Sequence, residues 1–313
     1  MSLAAIVARR LLWTIPLLLG IIFVTFAFLR AAGGSPFRPP EGYIAVPYSL
    51  ERELVAYYRL DDPFPVQYLT YVKNVATLNF GPSLTNRYVS VDDVIRNSFP
   101  VTAELVLLAA ACAVPLGILL GLVAALRRTT AVDVAATSFA TLLLVVPIFF
   151  VSFVLSRYVV FDWRLVPAGW DGWRSKVLPT LTLALAPAGY IARLIRAQVV
   201  ETLQEDYVRT ARAKGLRAGR VIVVHVLRNS LGPFFAAAVP MLALLITGAL
   251  FVERDFRVPG ASIVFLEAAR TRDYPMLLGV TVALATVVLA VNLVADVLLA
   301  AIDPRLREGA PVR

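Results

Sequence analysis

The sequence predicts an all-α polytopic membrane protein with six transmembrane helices and a polar segment outside the membrane after the first. Three observations predict it. The chain is 59% hydrophobic and only 16% charged, with a mean hydropathy of +0.77; a soluble domain of 313 residues needs a more charged surface. Six stretches are each long and apolar enough to cross a bilayer core, which takes about twenty residues of helix. One long neutral segment, Arg30–Pro100, carries tyrosines and balanced charge between the first two of them.

The six stretches are Leu11–Leu29, Val101–Leu126, Val134–Tyr158, Val177–Val199, Leu231–Val252 and Met276–Ile302. Pro179 and Pro187 are expected to break the fourth, and Pro233 and Pro240 interrupt the fifth. Such prolines are common in membrane helices, where neighbouring groups take up the freed backbone. The first stretch follows Arg9 and Arg10 but exceeds the apolar core of a signal peptide, so it reads as an uncleaved anchor. Within Arg30–Pro100, Ser49 is the expected cap of one helix, with Arg52 and Glu53 in its first turn. A second helix begins after Pro65, with Tyr68, Tyr71 and Val72 on one face. The aromatic content favours a small ordered cap over a solvated linker.

Orientation follows the basic residues. Arg9, Arg10, Arg127, Arg128 and the dense cluster after the fourth span share one side with Arg305, Arg307 and Arg313. The positive-inside rule then puts both termini in the cytoplasm and Trp163, Trp170 and Trp173 in an outer interfacial loop. The same rule accounts for the net charge of +9. No basic-aromatic stripe appears, and nucleic acid is not an expected partner.

Catalytic chemistry has little to work with. The single histidine, His225, excludes a His-rich metal site, and Cys112 has no partner for an intrachain disulfide. There is no H-E-x-x-H, no G-x-S-x-G and no Gly-x-x-x-x-Gly-Lys-Ser/Thr phosphate loop. The chain is read as a non-enzyme with no catalytic residue, no metal and no cofactor of its own. Ionisable residues inside spans are candidates for function by default. Glu104 and Asp296 are the acidic candidates, both near span ends, where hydration, capping or interhelical pairing explains them. Arg193 and Arg196 share a helix face at the end of the fourth span and can snorkel to headgroups.

The polar block EDYVRTARAKGLRAGRVIVVHVLRNSLGPF, Glu205–Phe234, is the feature that needs explaining. Asp206 is the expected N-cap for a short helix from Tyr207 to Ala213, stopped by Gly215. Arg209 and Arg212 share a face, Lys214 suits the C-terminal dipole, and Ala211 and Ala213 allow close seating. A second helical piece, Arg220–Arg228, puts Val221, Val224 and Leu227 on one face. A plain positive-inside loop would need only scattered arginines; a capped helix with a glycine stop reads as a docking element.

The same residues resemble a family. DYVRTARAKGL followed by HVLRNSLGP is similar to the cytoplasmic coupling loop, the EAA loop, of type I ABC importer permeases, and best to the dipeptide, oligopeptide and nickel branch, first-permease kind. The motif's Glu-Ala-Ala stands here as Arg209-Thr210-Ala211, with Gly215 four residues on; the missing glutamate is usual in that branch. ARRLLWTIPLLLGIIFVTF, LDDPFPVQYLTYV, FPVTAELVLLA, LPTLTLALAPAGYIARLIRAQVVETLQ and NLVADVLLAAIDPRLR extend the resemblance along most of the chain. Pro259-Gly260-Ala261-Ser262 departs from the usual Pro-Gly-hydrophobic-Gly before the last span.

The resemblance implies a type I permease fold, divided as 1–97 anchor and extracytoplasmic segment, 98–303 permease core and 304–313 cytoplasmic tail. It implies a bacterial inner-membrane subunit of a peptide importer, working with a second homologous permease, two ATPase subunits carrying ATP and Mg, and an extracytoplasmic solute-binding protein. Nickel chelates, glutathione or haem are alternative cargoes. The implied ATPase contact is Asp206, Tyr207, Arg209, Thr210, Ala211, Arg212, Ala213, Lys214, Gly215 and Leu216; substrate-binding residues are not assigned. The competing classes are a nucleotide-independent secondary transporter or channel, which calls for an internal repeat and mid-membrane charges, and a structural membrane anchor.

Overall fold

A computed structural model describes residues 3–31, 37, 47–86, 88–230 and 232–302. Regular structure there is helical: α1 Leu3–Ala31, α2 Tyr48–Tyr58, α3 Phe64–Ala76, α4 Val91–Leu126, α5 Ala131–Val145 and α6 Ile148–Leu155. α7 Trp173–Thr202, α8 Asp206–Ala213, α9 Ala218–Arg220, α10 Arg228–Ser230, α11 Gly232–Phe256, α12 Ala261–Thr271 and α13 Tyr274–Ile302 follow. Two π-helical segments, Ser156–Asp162 and Val221–Leu227, extend α6 and join α9 to α10. Among the described residues, α1, α4, α7 and α13 are each long and apolar enough to cross a membrane. α11 falls where the fifth span is expected.

The third predicted span is not one straight helix. α5 and the helix after it meet at 93°. Val146 is extended, at φ −70° and ψ 121°, and Pro147 caps the next helix. A proline ring disfavours the helical conformation of the residue before it, and here the chain bends rather than absorbing the clash. The fourth span differs the other way. Pro179 and Pro187 lie inside α7, which runs unbroken from Trp173 to Thr202.

The chain divides into two compact units. The first holds 1–102 and 259–313. Here α1 packs on α13 and α3. Phe23 and Phe26 of α1 meet Phe64 and Tyr68 of α3 edge-on, with ring centroids 5.3–6.3 Å apart, and the Tyr68 hydroxyl donates to the Leu19 carbonyl at 3.1 Å. Tyr71 is buried and Val72 partly so, as the predicted face requires. Burial pushes the Tyr58 and Tyr71 phenols up, so both stay neutral at any working pH. The cap of α2 is Pro47 with no side-chain bond, so Ser49 lies inside that helix rather than capping it.

Asp273 is the polar knot of this unit. It is buried. Its carboxylate accepts from the Ser83 hydroxyl, the Leu84 N–H at 3.2 Å and the Thr85 hydroxyl at 3.2 Å. It also accepts from the Met276 N–H at 3.3 Å at the start of α13. Charge-assisted bonds and an N-cap are each worth about 1–3 kcal/mol. Asp273→Ala is therefore expected to destabilise this unit by about 3 kcal/mol, read as a lower Tm of the purified protein, with Asp273→Asn losing less. Where the sequence departs at Pro259–Ser262, Gly260 caps α12 and the Ala261 N–H donates to the Thr102 hydroxyl at 2.8 Å.

The second unit, 103–258, is built on α7. Small residues let backbones close in. A Cβ on Gly117 or Gly121 of α4 would sit 2.8 Å from the Ala188 carbonyl or 2.5 Å from that of Ala192. One on Gly189 would collide with the Ala140 carbonyl of α5. The face of α7 that receives these helices, Ala184, Ala188, Ile191, Ala192 and Ile195, is buried.

Candidate functional site

The polar block starts where α7 ends. Thr202 and Ser230 bracket it, both buried, with their hydroxyls 3.1 Å apart. The Ser230 hydroxyl also lies 2.9 Å from the Val226 carbonyl. The two ends of a 27-residue excursion, Leu203 to Asn229, are thus tied to one another out of contact with solvent.

Between them α8 spans Asp206–Ala213, one residue earlier than the sequence suggests. Glu205, not Asp206, is the cap; its carbonyl accepts the Val208 and Arg209 N–H groups, without a side-chain bond. Asp206 instead sits in the first turn, where a carboxylate suits the helix dipole, and it meets Arg209 at 3.4 Å. The stop is a full Schellman motif. Gly215 lies at φ +75°, its N–H donates to the Arg212 carbonyl at 2.9 Å, and the Leu216 N–H donates to that of Ala211 at 3.4 Å.

The faces of α8 divide cleanly. Val208 and Ala211, three apart, are buried, and the helix packs on the π segment Val221–Leu227. Ala211 thus serves seating within the chain. Val221 and Val226 are the buried residues of that segment, while Val224 is exposed. This corrects the predicted face of Val221, Val224 and Leu227: bonding five residues back widens each turn, so the inward face repeats at five rather than three. Everything else on α8 is exposed: Asp206, Tyr207, Arg209, Thr210, Arg212 and Ala213, continuing through Lys214 and Gly215. Leu216 is half-buried. Arg217, Arg220 and Arg228 are exposed as well. The result is a short helix fixed on its apolar side and basic on its free side. What it can do is present the cations of Arg209, Arg212 and Lys214 to an acidic surface.

A second clamp lies just before it. The Arg196 guanidinium grips Asp133 with two bonds, Nε at 2.7 Å and Nη2 at 2.8 Å. Asp133 also accepts the Thr129 N–H at 3.0 Å and the Thr137 hydroxyl at 3.2 Å. Arg196 therefore holds the start of α5 to the end of α7 instead of snorkelling to headgroups. Sequence reasoning missed Asp133; an aspartate opening an apolar run was the available signal. Of the two acidic residues inside the expected spans, Glu104 pairs with Lys176 and accepts from the Trp170 indole at 2.9 Å. Trp170 is accordingly buried, while Trp163 and Trp173 stay exposed. The Asp296 side chain lies outside the described residues, as do Arg305, Arg307 and Arg313.

Residues 117–308 match the family described as binding-protein-dependent transport system inner membrane component. The chain belongs to this family. The matched span of this inner membrane component takes in the bent α5–α6 pair, α7, the α8 loop and the helices that follow. Curated relatives agree along nearly the whole length. The chain is 38% identical to the dipeptide transport system permease protein DppB of Bacillus subtilis over 291 residues, 93% of this chain and 94% of that protein. It is 36% identical to the oligopeptide transport system permease protein OppB of Escherichia coli K12, and 34% to that of Haemophilus influenzae, each over 96% of this chain and 98% of the relative.

Proposed function

We propose that this inner membrane component is a permease subunit of an ATP-driven peptide importer, and that α8 is where the driving force enters. The observation that carries the reading is α8 itself: a helix capped, stopped by Gly215 and seated on its own chain through Val208 and Ala211, with Arg209, Arg212 and Lys214 left outward. Similarity to permeases named for dipeptides and oligopeptides supports peptide as the cargo.

In this reading a second, homologous permease completes the pathway. Two ATPase subunits carry ATP and Mg and dock on the Asp206–Leu216 segment of each permease. A solute-binding protein delivers peptide on the opposite side. The membrane is the bacterial inner membrane, with both termini and α8 on the cytoplasmic face. ATP binding draws the two coupling helices together, and the helices rock between inward- and outward-facing states. The Thr202–Ser230 tie joins the two ends of the loop that carries α8, and the Arg196–Asp133 clamp holds α5 to the end of α7, so a push on α8 has a short path to both helices. The test is uptake of labelled dialanine into proteoliposomes holding this chain, its partner permease and the ATPases, with the binding protein present. Uptake that requires ATP supports the reading; uptake indifferent to ATP rejects it.

A further inference from the structure

We propose that the groove between α4 and α7 in the second unit is a binding site for a zwitterionic peptide, read at its two ends by Glu104 and Lys176. The proposal rests on the peptide-importer reading and adds the residues that touch the cargo. The groove holds about 540 Å³, within the roughly 300–1,000 Å³ usual for small-ligand sites. Glu104, Leu108 and Cys112 line it from α4, and Lys176, Val177 and Thr180 from α7. On α4 the spacing is four, so its three residues share one face.

Glu104 and Lys176 face each other at 2.5 Å, their side chains 44% and 27% exposed. That exposure leaves room for a ligand to reach both. The carboxylate accepts from Lys176 and from the Trp170 indole, which leaves acceptor capacity on its two oxygens. The ammonium, lying 5.1 Å from the Trp170 ring centroid, uses one of its three donors on Glu104. A ligand with one ammonium and one carboxylate can join this pair, its ammonium on Glu104 and its carboxylate on Lys176, so that Glu104 and Lys176 each meet two charges of opposite sign. A ligand lacking either charge cannot.

The third polar group is independent of that pair. Among the described residues the buried Thr180 hydroxyl oxygen has no hydrogen-bond partner, and Thr180, only 6% exposed, is a residue of the same groove wall. An unsatisfied buried hydroxyl is costly, and a peptide N–H or carbonyl would satisfy it. Leu108, Val177 and Leu181 supply apolar wall between the charged end and this hydroxyl, as a peptide's side chains require. An ionisable residue set into a membrane helix is by default a candidate for a substrate pathway.

Cys112, half-buried in the groove wall and the chain's single cysteine, serves as the reporter. The assembled importer in proteoliposomes, with its binding protein, is treated with a fluorescent maleimide, and labelling of this chain is followed against a Cys112→Ser control. Dialanine is expected to slow labelling, and N-acetyl-dialanine amide to leave it unchanged. Glu104→Gln keeps an acceptor for the Trp170 indole but should raise the dialanine concentration for half-protection about tenfold. Equal protection by the blocked peptide, no protection by dialanine, or an unreactive Cys112 overturns the proposal. So does labelling that follows the phosphatidylethanolamine content of the vesicles and ignores dialanine. ATP-driven uptake measured on the same vesicles keeps the importer reading separate from this one.

Discussion

Reversing both outward arginines, Arg209→Glu with Arg212→Glu, is expected to reduce recovery of the ATPase subunits with this chain at least about tenfold. Both side chains are exposed, and α8 is held to its own chain by Val208 and Ala211 on the other side. The substitutions therefore leave the seating alone. They replace two cations with two anions on a surface proposed to meet acidic residues, and like charges across an interface cost several kcal/mol. Arg209 loses one exposed ion pair with Asp206, worth under about 1 kcal/mol, so the protein's own stability should change little. The measurement is the ratio of ATPase to permease after affinity purification, with membrane insertion checked in parallel. An unchanged ratio would remove α8 from the docking surface.

Gly215→Val is expected to lower ATP-coupled uptake strongly while the protein still inserts. Its backbone sits at φ +75°, a region that a β-branched residue reaches only at about 1–3 kcal/mol. No described residue lies within 4 Å of where a Cβ would be, so the cost is conformational and not a clash. Relieving it means unwinding the Schellman stop, which releases the Ala211 and Arg212 carbonyls and re-aims Lys214. Gly215→Asn is the control: asparagine tolerates the left-handed region, so uptake should largely survive. If valine and asparagine behave alike, the turn geometry is not what couples.

What was legible in the sequence was what is local. The α8 helix could be found because its dipole-matched charges, its outward cations and its glycine stop all lie within about eleven residues. The spans were legible because about twenty apolar residues in a row admit few other fates in water. Prolines show where that reading ends. Pro147, Pro179 and Pro187 all stand in apolar runs, yet the first turns the chain through 93° and the others leave α7 straight enough to remain one helix. The apolar run itself does not encode which of the two a proline will do. The π segment is similar: Val221 and Val226 pack inward at a spacing of five, which no three-four template detects.

The clamps were illegible for a second reason. Arg196 and Asp133 stand 63 residues apart, and Thr202 and Ser230 stand 28 apart. Each looks ordinary alone: an arginine at a span end, an aspartate opening a helix, two hydroxyls among many. Only the packing of α5 on α7, set by Gly189 against Ala140, makes a bidentate pair of the first two. The groove pair, Glu104 and Lys176, is 72 residues apart, and became visible the same way.

In the proposed function, energy reaches this chain through α8. Its most direct measurement is ATP-driven dialanine uptake in proteoliposomes of the whole importer, wild type beside the Arg209→Glu, Arg212→Glu variant. Uptake should need ATP in the wild type and fall to background in the variant. Undiminished ATP-driven uptake by the variant, or wild-type uptake that proceeds without ATP, would contradict it.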